Sequence, residues 1–360
     1  MCNMKAQSRA APSATAGARG PHPLPLFLDL LLRESGGDLA RLRAMLAGLV
    51  RYQQAPARPP VRRAQTLAQR GGTRLAALAG PQEGPLVLLL PSIINGPEVL
   101  DHGPGQSLAR ALGDAGARVL LLDWGDLAGE RRLGLAGLAS QRIAPLVRHL
   151  GRPVAVVGYC LGGTLGLGLA AAFPQLVARL ALVATPWRFA GYPADARARA
   201  RATLAVLEPA GRALGAVPMA LLNPLFWQVD AAGVAAKYER LGRSPPATGP
   251  LEAFAALEDW AGSGPPLPLP AVRDIFADGF GHDRFGRGRW QVAGIPVCPE
   301  RLNLPVLDIR GAADRLVPAA TAPDVPGMAR LQLETGHVGM IVGRQRAAML
   351  QVLSTFLMSD

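Results

Sequence analysis

The cysteine at the centre of Gly158-Tyr159-Cys160-Leu161-Gly162 has neighbours that suggest chemistry. The run before it, Pro153-Val-Ala-Val-Val157, is apolar and strand-like. The run after it is rich in Gly, Ala and Leu and helix-like. A sharp strand-to-helix turn strains its central residue and needs glycine on either side to avoid a clash. It also lifts the side chain above the sheet, the setting of G-x-S-x-G nucleophiles, here with sulfur replacing oxygen. The N-terminus of the helix adds positive potential that favours a thiolate. The backbone N–H of Leu161 would point toward an oxyanion formed on an attacked carbonyl. The bland alternative is a buried structural cysteine, a common fate of a free thiol.

A thiol that attacks a carbonyl needs a base, and the base needs an orienting partner. Behind such a turn the chain order is nucleophile, acid, histidine. Of the five histidines only His282 and His337 follow Cys160. His337 stands in Glu334-Thr-Gly-His337-Val-Gly339, just after an apolar run. His282 falls in a loop-rich stretch and reads as a surface or packing residue. Asp314 follows the apolar run from Pro305, within Gly311-Ala-Ala-Asp314-Arg315-Leu-Val-Pro318. Taken singly, a loop aspartate usually caps a turn and a lone histidine is usually a surface group. Three such residues in this order, each at a strand's C-terminal end, form a constellation at the edge where open α/β sheets gather their chemistry. A second oxyanion donor is expected from Pro91-Ser92-Ile93-Ile94-Asn95-Gly96, with the backbone N–H of Ile94 the candidate.

These residues need strands to carry them. Short apolar runs recur at 85–91, 118–124, 153–158, 178–184, 305–310 and 329–333. Most are continuously apolar, as parallel strands covered on both faces must be. Helix-like stretches lie between them at 106–116, 138–150, 162–173 and 344–357. Strand alternating with helix predicts a mostly parallel, doubly wound α/β sheet. The alternation pauses between about residues 187 and 304, where the chain turns helical and loop-rich around Pro265-Pro-Leu-Pro-Leu-Pro270. The predicted organisation is therefore a disordered tail over 1–25, a helical segment and Pro-rich linker over 26–60, a core of 61–186 with 301–360, and an inserted helical cap over 187–300.

Composition narrows the function. The chain has 360 residues, 49% of them hydrophobic, which is enough to build a core. It carries 38 Lys+Arg against 26 Asp+Glu, a net charge of +12, and its only lysines are Lys5 and Lys237. The arginines are scattered in pairs and triplets without interleaved aromatics, so no nucleic-acid partner is expected. Cys2, Cys160 and Cys298 are too few and too widely spaced for a disulfide framework or a metal site. That usage reads as a reduced, cytoplasmic protein. Residues 1–25 mix Arg with small residues but lack the apolar stretch of a secretory signal. Residues 153–178 carry no charge, yet the glycines of the Cys160 turn break them, so no transmembrane segment is expected.

Gly158-Tyr-Cys-Leu-Gly-Gly163 resembles the lipase-like box of the polyhydroxyalkanoate synthases, α/β-hydrolase enzymes whose nucleophile is cysteine. Pro91-Ser-Ile-Ile-Asn95, Val99-Leu-Asp101, Leu121-Leu-Asp-Trp-Gly125, Thr185-Pro186, 314–318 and Gly336-His-Val-Gly339 are similar to that family too, and so is Trp260 in the cap. The likeness runs from about residue 85 to the end, and the length is similar to the short, two-subunit type. The chain departs from the family's pattern at Arg315, where histidine is usual, at Leu302-Asn303, and over 286–299.

The resemblance implies an α/β-hydrolase fold with Cys160, Asp314 and His337 as catalytic triad. It implies transfer of 3-hydroxyacyl groups from coenzyme A, through an acyl-cysteine, to a hydroxyl. The thioester is the substrate, and no cofactor or metal is called for. Implied partners are a second synthase subunit or a second copy of the chain, and the surface of a polyester granule. With water as acceptor the same triad would make a thioesterase, esterase or polymer depolymerase. A catalytically silent relative would only bind granules or a partner synthase.

Overall fold

The computed structural model describes residues 19–56, 64–103, 105–245 and 248–359. Residues 1–18 of the expected tail, Cys2 among them, and 57–60 of the expected linker lie outside the described residues. Each of the six apolar runs forms a strand. They are β3 (Leu86–Leu90), β4 (Arg118–Asp123), β5 (Val154–Tyr159), β6 (Val177–Val183), β7 (Val306–Gly311) and β8 (Ala329–Leu333). All pair in parallel. Every residue of β3 and of β5 is buried, which is why these segments are apolar throughout instead of alternating.

Two further strands, β1 (Gln65–Arg70) and β2 (Thr73–Ala79), pair antiparallel with each other, and β2 pairs antiparallel with β4. The sheet thus has eight strands in the order β1-β2-β4-β3-β5-β6-β7-β8. The outer hairpin is not among the predicted strands. Its signal is Gly71-Gly72 between two short runs, a two-residue turn that suits a hairpin but is faint beside the apolar core strands.

The N-terminal helices start earlier than the predicted boundary and pack elsewhere. Helix α1 (Leu24–Glu34) begins inside the stretch expected to be tail, and α2 is Leu39–Gln53. Asp38 caps α2 by accepting the N–H groups of Ala40 and Arg41 at 2.8 and 3.0 Å. Helices α3 (Leu108–Asp114) and α4 (Leu161–Ala172) belong to the sheet layers. Between β6 and β7 the chain leaves the sheet as α5 (Ala194–Leu214), α6 (Met219–Val229), α7 (Ala231–Arg243) and α8 (Thr248–Gly262). A last helical segment, Leu269–Arg273, widens into π turns over Asp274–Gly281.

The amphipathic α1 and α2 bury their apolar faces against these inserted helices. Phe27, Leu31, Met45, Leu49 and Tyr52 form a second hydrophobic cluster with Ala235, Tyr238 and Ala255, apart from the main core. Phe27 meets the rings of Trp227 and Tyr238 edge-on, both at 5.0 Å.

One carboxylate ties the insertion to the core. Asp274 accepts the Leu135 N–H at 2.6 Å and so caps the helical segment 135–148. Burial, reinforced by the charge of Asp278, pushes Asp274 from 3.8 up to about 6. An unfolded chain therefore releases this proton first as pH rises, and the group's contribution to stability falls between about pH 4 and 6. Asp274→Asn keeps an oxygen for Leu135 without the charge. It is expected to raise stability by ~1–3 kcal/mol at pH 7 and to give no gain at pH 4, read from denaturant midpoints at the two pH values.

Candidate active site

Strand β5 ends at Tyr159, α4 starts at Leu161, and Cys160 alone makes the turn. Its backbone has φ 54° and ψ −126°, a region that costs a non-glycine residue about 1–3 kcal/mol. Close packing holds the strain in place. A Cβ on Gly162 would lie 2.0 Å from the Leu90 carbonyl oxygen, and one on Gly158 would lie 2.4 Å from the Gly163 Cα. Glycine is required at both positions because helix and strands touch there, so the turn has nowhere to relax. The Cys160 N–H donates to the Val183 carbonyl at 2.9 Å, and its own carbonyl accepts the Gly163 N–H at 2.9 Å.

Asp314 sits in the loop after β7, and its side chain is fully buried. One carboxylate oxygen accepts the N–H groups of Leu316 and Val317 at 2.9 and 2.8 Å. The other lies 2.7 Å from His337 Nδ1. His337 follows β8 and precedes a short helix, Gly339–Val342. Cys160 lines the same cavity as the imidazole, near enough for its charge to bear on the ring. Burial by itself would lower the imidazole, but the Cys160 charge and the hydrogen bond to Asp314 push it up to about 10. A raised imidazole at this position is the partner a cysteine needs in order to attack an acyl carbon as its thiolate.

The structure thus brings together Cys160, Asp314 and His337, which lie far apart in the chain. His282 is exposed at the end of the 269–281 segment and lies outside the cavity at Cys160.

Cys160 and His337 open on a cavity of about 250 Å³. Its walls are mostly apolar, with Phe189, Phe226, Trp260, Phe276 and Phe280 prominent among them. Leu161 and Ile94 both line it. The Ile94 amide does not stand free as expected, because it donates to Ser92 Oγ at 3.3 Å. That long bond must yield before Ile94 can serve an oxyanion. The Trp124 indole steadies this loop by donating to the Ser92 carbonyl at 3.0 Å. A second cavity of about 440 Å³ lies between 95–98, 123–126 and 263–266, but it contains neither Cys160 nor His337.

Several wall residues escape sequence reading. Asn95 Nδ2 reaches the carbonyls of Trp260, Ala261 and Ser263 at 3.2, 3.1 and 2.8 Å, and the Trp260 indole donates back to Gly96 at 2.8 Å. These bonds fasten the end of α8 to the loop after β3. Phe276 and Phe280 are four residues apart, a faint pattern of one apolar helix face; nothing local marks Tyr192 as a wall residue. Among the described residues no helix is long and apolar enough to cross a membrane, and no cluster of His, Cys, Asp or Glu could hold a metal ion.

A family model described as the alpha/beta hydrolase fold matches residues 85–328. The chain belongs to the α/β-hydrolase fold family. Within it, the chain is 28% identical over 280 residues to the poly(3-hydroxyalkanoate) polymerase subunit PhaC of Haloferax mediterranei, a match spanning 71% of this chain and 55% of that protein. It is 26% identical over 283 residues to the protein of the same name from Synechocystis, covering 72% and 74% of the two chains. The chain spans little more than half the length of that Haloferax relative and of the protein of the same name from Haloarcula marismortui. The carboxylesterase CesB of Bacillus subtilis aligns over 92% of this α/β-hydrolase and 99% of its own chain, with a TM-score of 0.51 at 15% identity, a likeness of fold.

Because the Cys160 charge raises His337, removing the sulfur has a measurable consequence. In Cys160→Ala the imidazole is expected to titrate well below about 10, with Asp314 alone left to raise it against burial. The check is an NMR pH titration of the His337 ring protons; an imidazole still titrating near 10 in the variant would contradict the influence of Cys160.

Proposed function

We propose that the chain is an acyltransferase of the polyhydroxyalkanoate synthase type, moving 3-hydroxyacyl groups from coenzyme A to a hydroxyl. The observation that carries this reading is the Cys160–His337 pair opening on an apolar cavity, in a chain similar to proteins named as polymerase subunits. Cys160, Asp314 and His337 are the proposed triad.

In the first half-reaction the Cys160 thiolate attacks the thioester carbonyl. The Leu161 N–H is aimed at the oxyanion, joined by Ile94 once Ser92 gives way. The imidazolium then protonates the departing sulfur, and coenzyme A leaves as its thiol. Exchange of one thioester for another is close to thermoneutral, so the acyl-cysteine keeps its activation.

Acylation also resets the base. The sulfur loses its charge, and with it the largest influence holding His337 protonated. The imidazole, already without its proton, can now take one from an incoming hydroxyl while Asp314 holds its ring. The alkoxide attacks the acyl-cysteine, an ester forms, and thiolate and imidazolium are restored together. Apolar walls disfavour water in the cavity, which turns the reaction toward a hydroxyl acceptor.

Residues 187–300 are proposed to act as a cap over a core of 61–186 and 301–360. The relatives' name, a polymerase subunit, supports assembly with a further subunit; the site of assembly is proposed to be the surface of a polyester granule in the cytoplasm.

Incubation with 3-hydroxybutyryl-CoA is expected to release coenzyme A together with polymer and to leave an acyl adduct on Cys160 visible by intact mass. Cys160→Ala should abolish both, and Asp314→Asn should slow release roughly 10²–10⁴-fold. Free hydroxy acid without polymer would make the chain a hydrolase. No adduct with any thioester would make it a silent relative.

A further inference from the structure

The Cys160 cavity holds few polar side chains, and most are already committed. Ser92 Oγ accepts the Ile94 amide at 3.3 Å. Asn95 Nδ2 serves three carbonyls at the end of α8. The Tyr159 hydroxyl donates, at 3.5 Å, to the backbone carbonyl of His337. Tyr192 is different. It lines the same cavity and is 8% exposed, yet its hydroxyl makes no hydrogen bond among the described residues.

Its position is rigidly set. Tyr192 ends the turn Phe189–Gly191 that follows β6. The Phe189 N–H donates to the buried Asp283 carboxylate at 2.7 Å, and the N–H groups of Trp187 and Arg188 donate to the Thr321 carbonyl at 2.9 and 2.8 Å. The Tyr192 ring is gripped by Phe189 and Phe280, with centroids 5.6 and 4.7 Å away. Burial, and then the charges of Cys160 and Asp314, push its phenol well above 10, so it remains a donor throughout the working range. A rigidly held donor with no protein partner, in the same cavity as the nucleophile, is free to meet an acceptor on a ligand.

We propose that Tyr192 is a specificity-determining residue whose hydroxyl donates a hydrogen bond to the oxygen substituent of the acyl chain carried by Cys160. It would thereby select oxygen-bearing acyl groups over plain alkyl ones. The inference rests on the acyl-transfer reading above and adds to it the group that recognises the substrate's hydroxyl. A site built to bond an oxygen rejects the analogue lacking it far better than an apolar pocket distinguishes lengths.

The test compares acylation of Cys160 by 3-hydroxybutyryl-CoA and by butyryl-CoA, as kcat/KM for coenzyme A release with intact mass on the same samples. Wild type should prefer the hydroxyacyl thioester. In Tyr192→Phe the ratio of the two values should fall roughly 10–100-fold. Tyr192→Leu, which also removes the ring, should lose the same preference. Alkylation of Cys160 by iodoacetamide reports whether the thiolate survives in each variant. A ratio unchanged by either substitution, or no preference in wild type, would overturn the role of Tyr192 and leave acyl transfer standing. Failure of wild type to form an acyl-cysteine with both thioesters would overturn the acyl-transfer reading and this inference with it.

Discussion

The His337 imidazole, buried in an apolar cavity, holds its proton only through its negative neighbours Cys160 and Asp314. The remaining structure is arranged around that dependence. Asp314 adds a second negative charge, but two backbone amides from Leu316 and Val317 already satisfy one of its oxygens. The start of α4 places positive potential at the sulfur. The pair is thus balanced by fixed dipoles that need no reorganisation when charge moves. The balance is also conditional, because a bond to the sulfur removes one charge and frees the imidazole to act as a base.

The strained turn and the insertion serve this pair from opposite sides. Below, Gly158 and Gly162 let α4 press onto the strand ends, holding Cys160 in a conformation it would otherwise leave. Above, the inserted helices supply the aromatic wall. That wall is anchored at Trp260, whose neighbours Glu258 and Asp259 accept hydrogen bonds from Tyr238 and Tyr52, each at 2.9 Å. Tyr52 belongs to α2, so the N-terminal helices brace the end of α8 that closes the cavity. A segment remote from the reacting atoms is in this way part of the site's mechanical support.

Arg315 shows how one departure from the family's pattern is used. It follows Asp314 directly, yet its guanidinium points outward and pairs with Asp230 between α6 and α7 at 2.7 Å. Both partners are substantially exposed, so the bond adds little stability. It marks a contact between the acid loop and the insertion.

The sequence by itself determined the strands of the core and the three residues proposed as a triad. The core strands are buried on both faces, so burial wrote itself into them as unbroken apolar runs. The reacting residues were legible because glycines flank the cysteine and because the acid and histidine loops each follow such a run. The hairpin of β1 and β2 was not legible, since an outer strand is only half covered and its pattern is weak. Tertiary structure alone decided the cavity wall, the engagement of the Ile94 amide by Ser92, and the packing of α1 and α2 on the insertion. Those features depend on side chains that meet across long separations, Tyr52 with Asp259 and Asn95 with Trp260. No local periodicity records such partners, because what selects them is the shape of the space left when the helices come together.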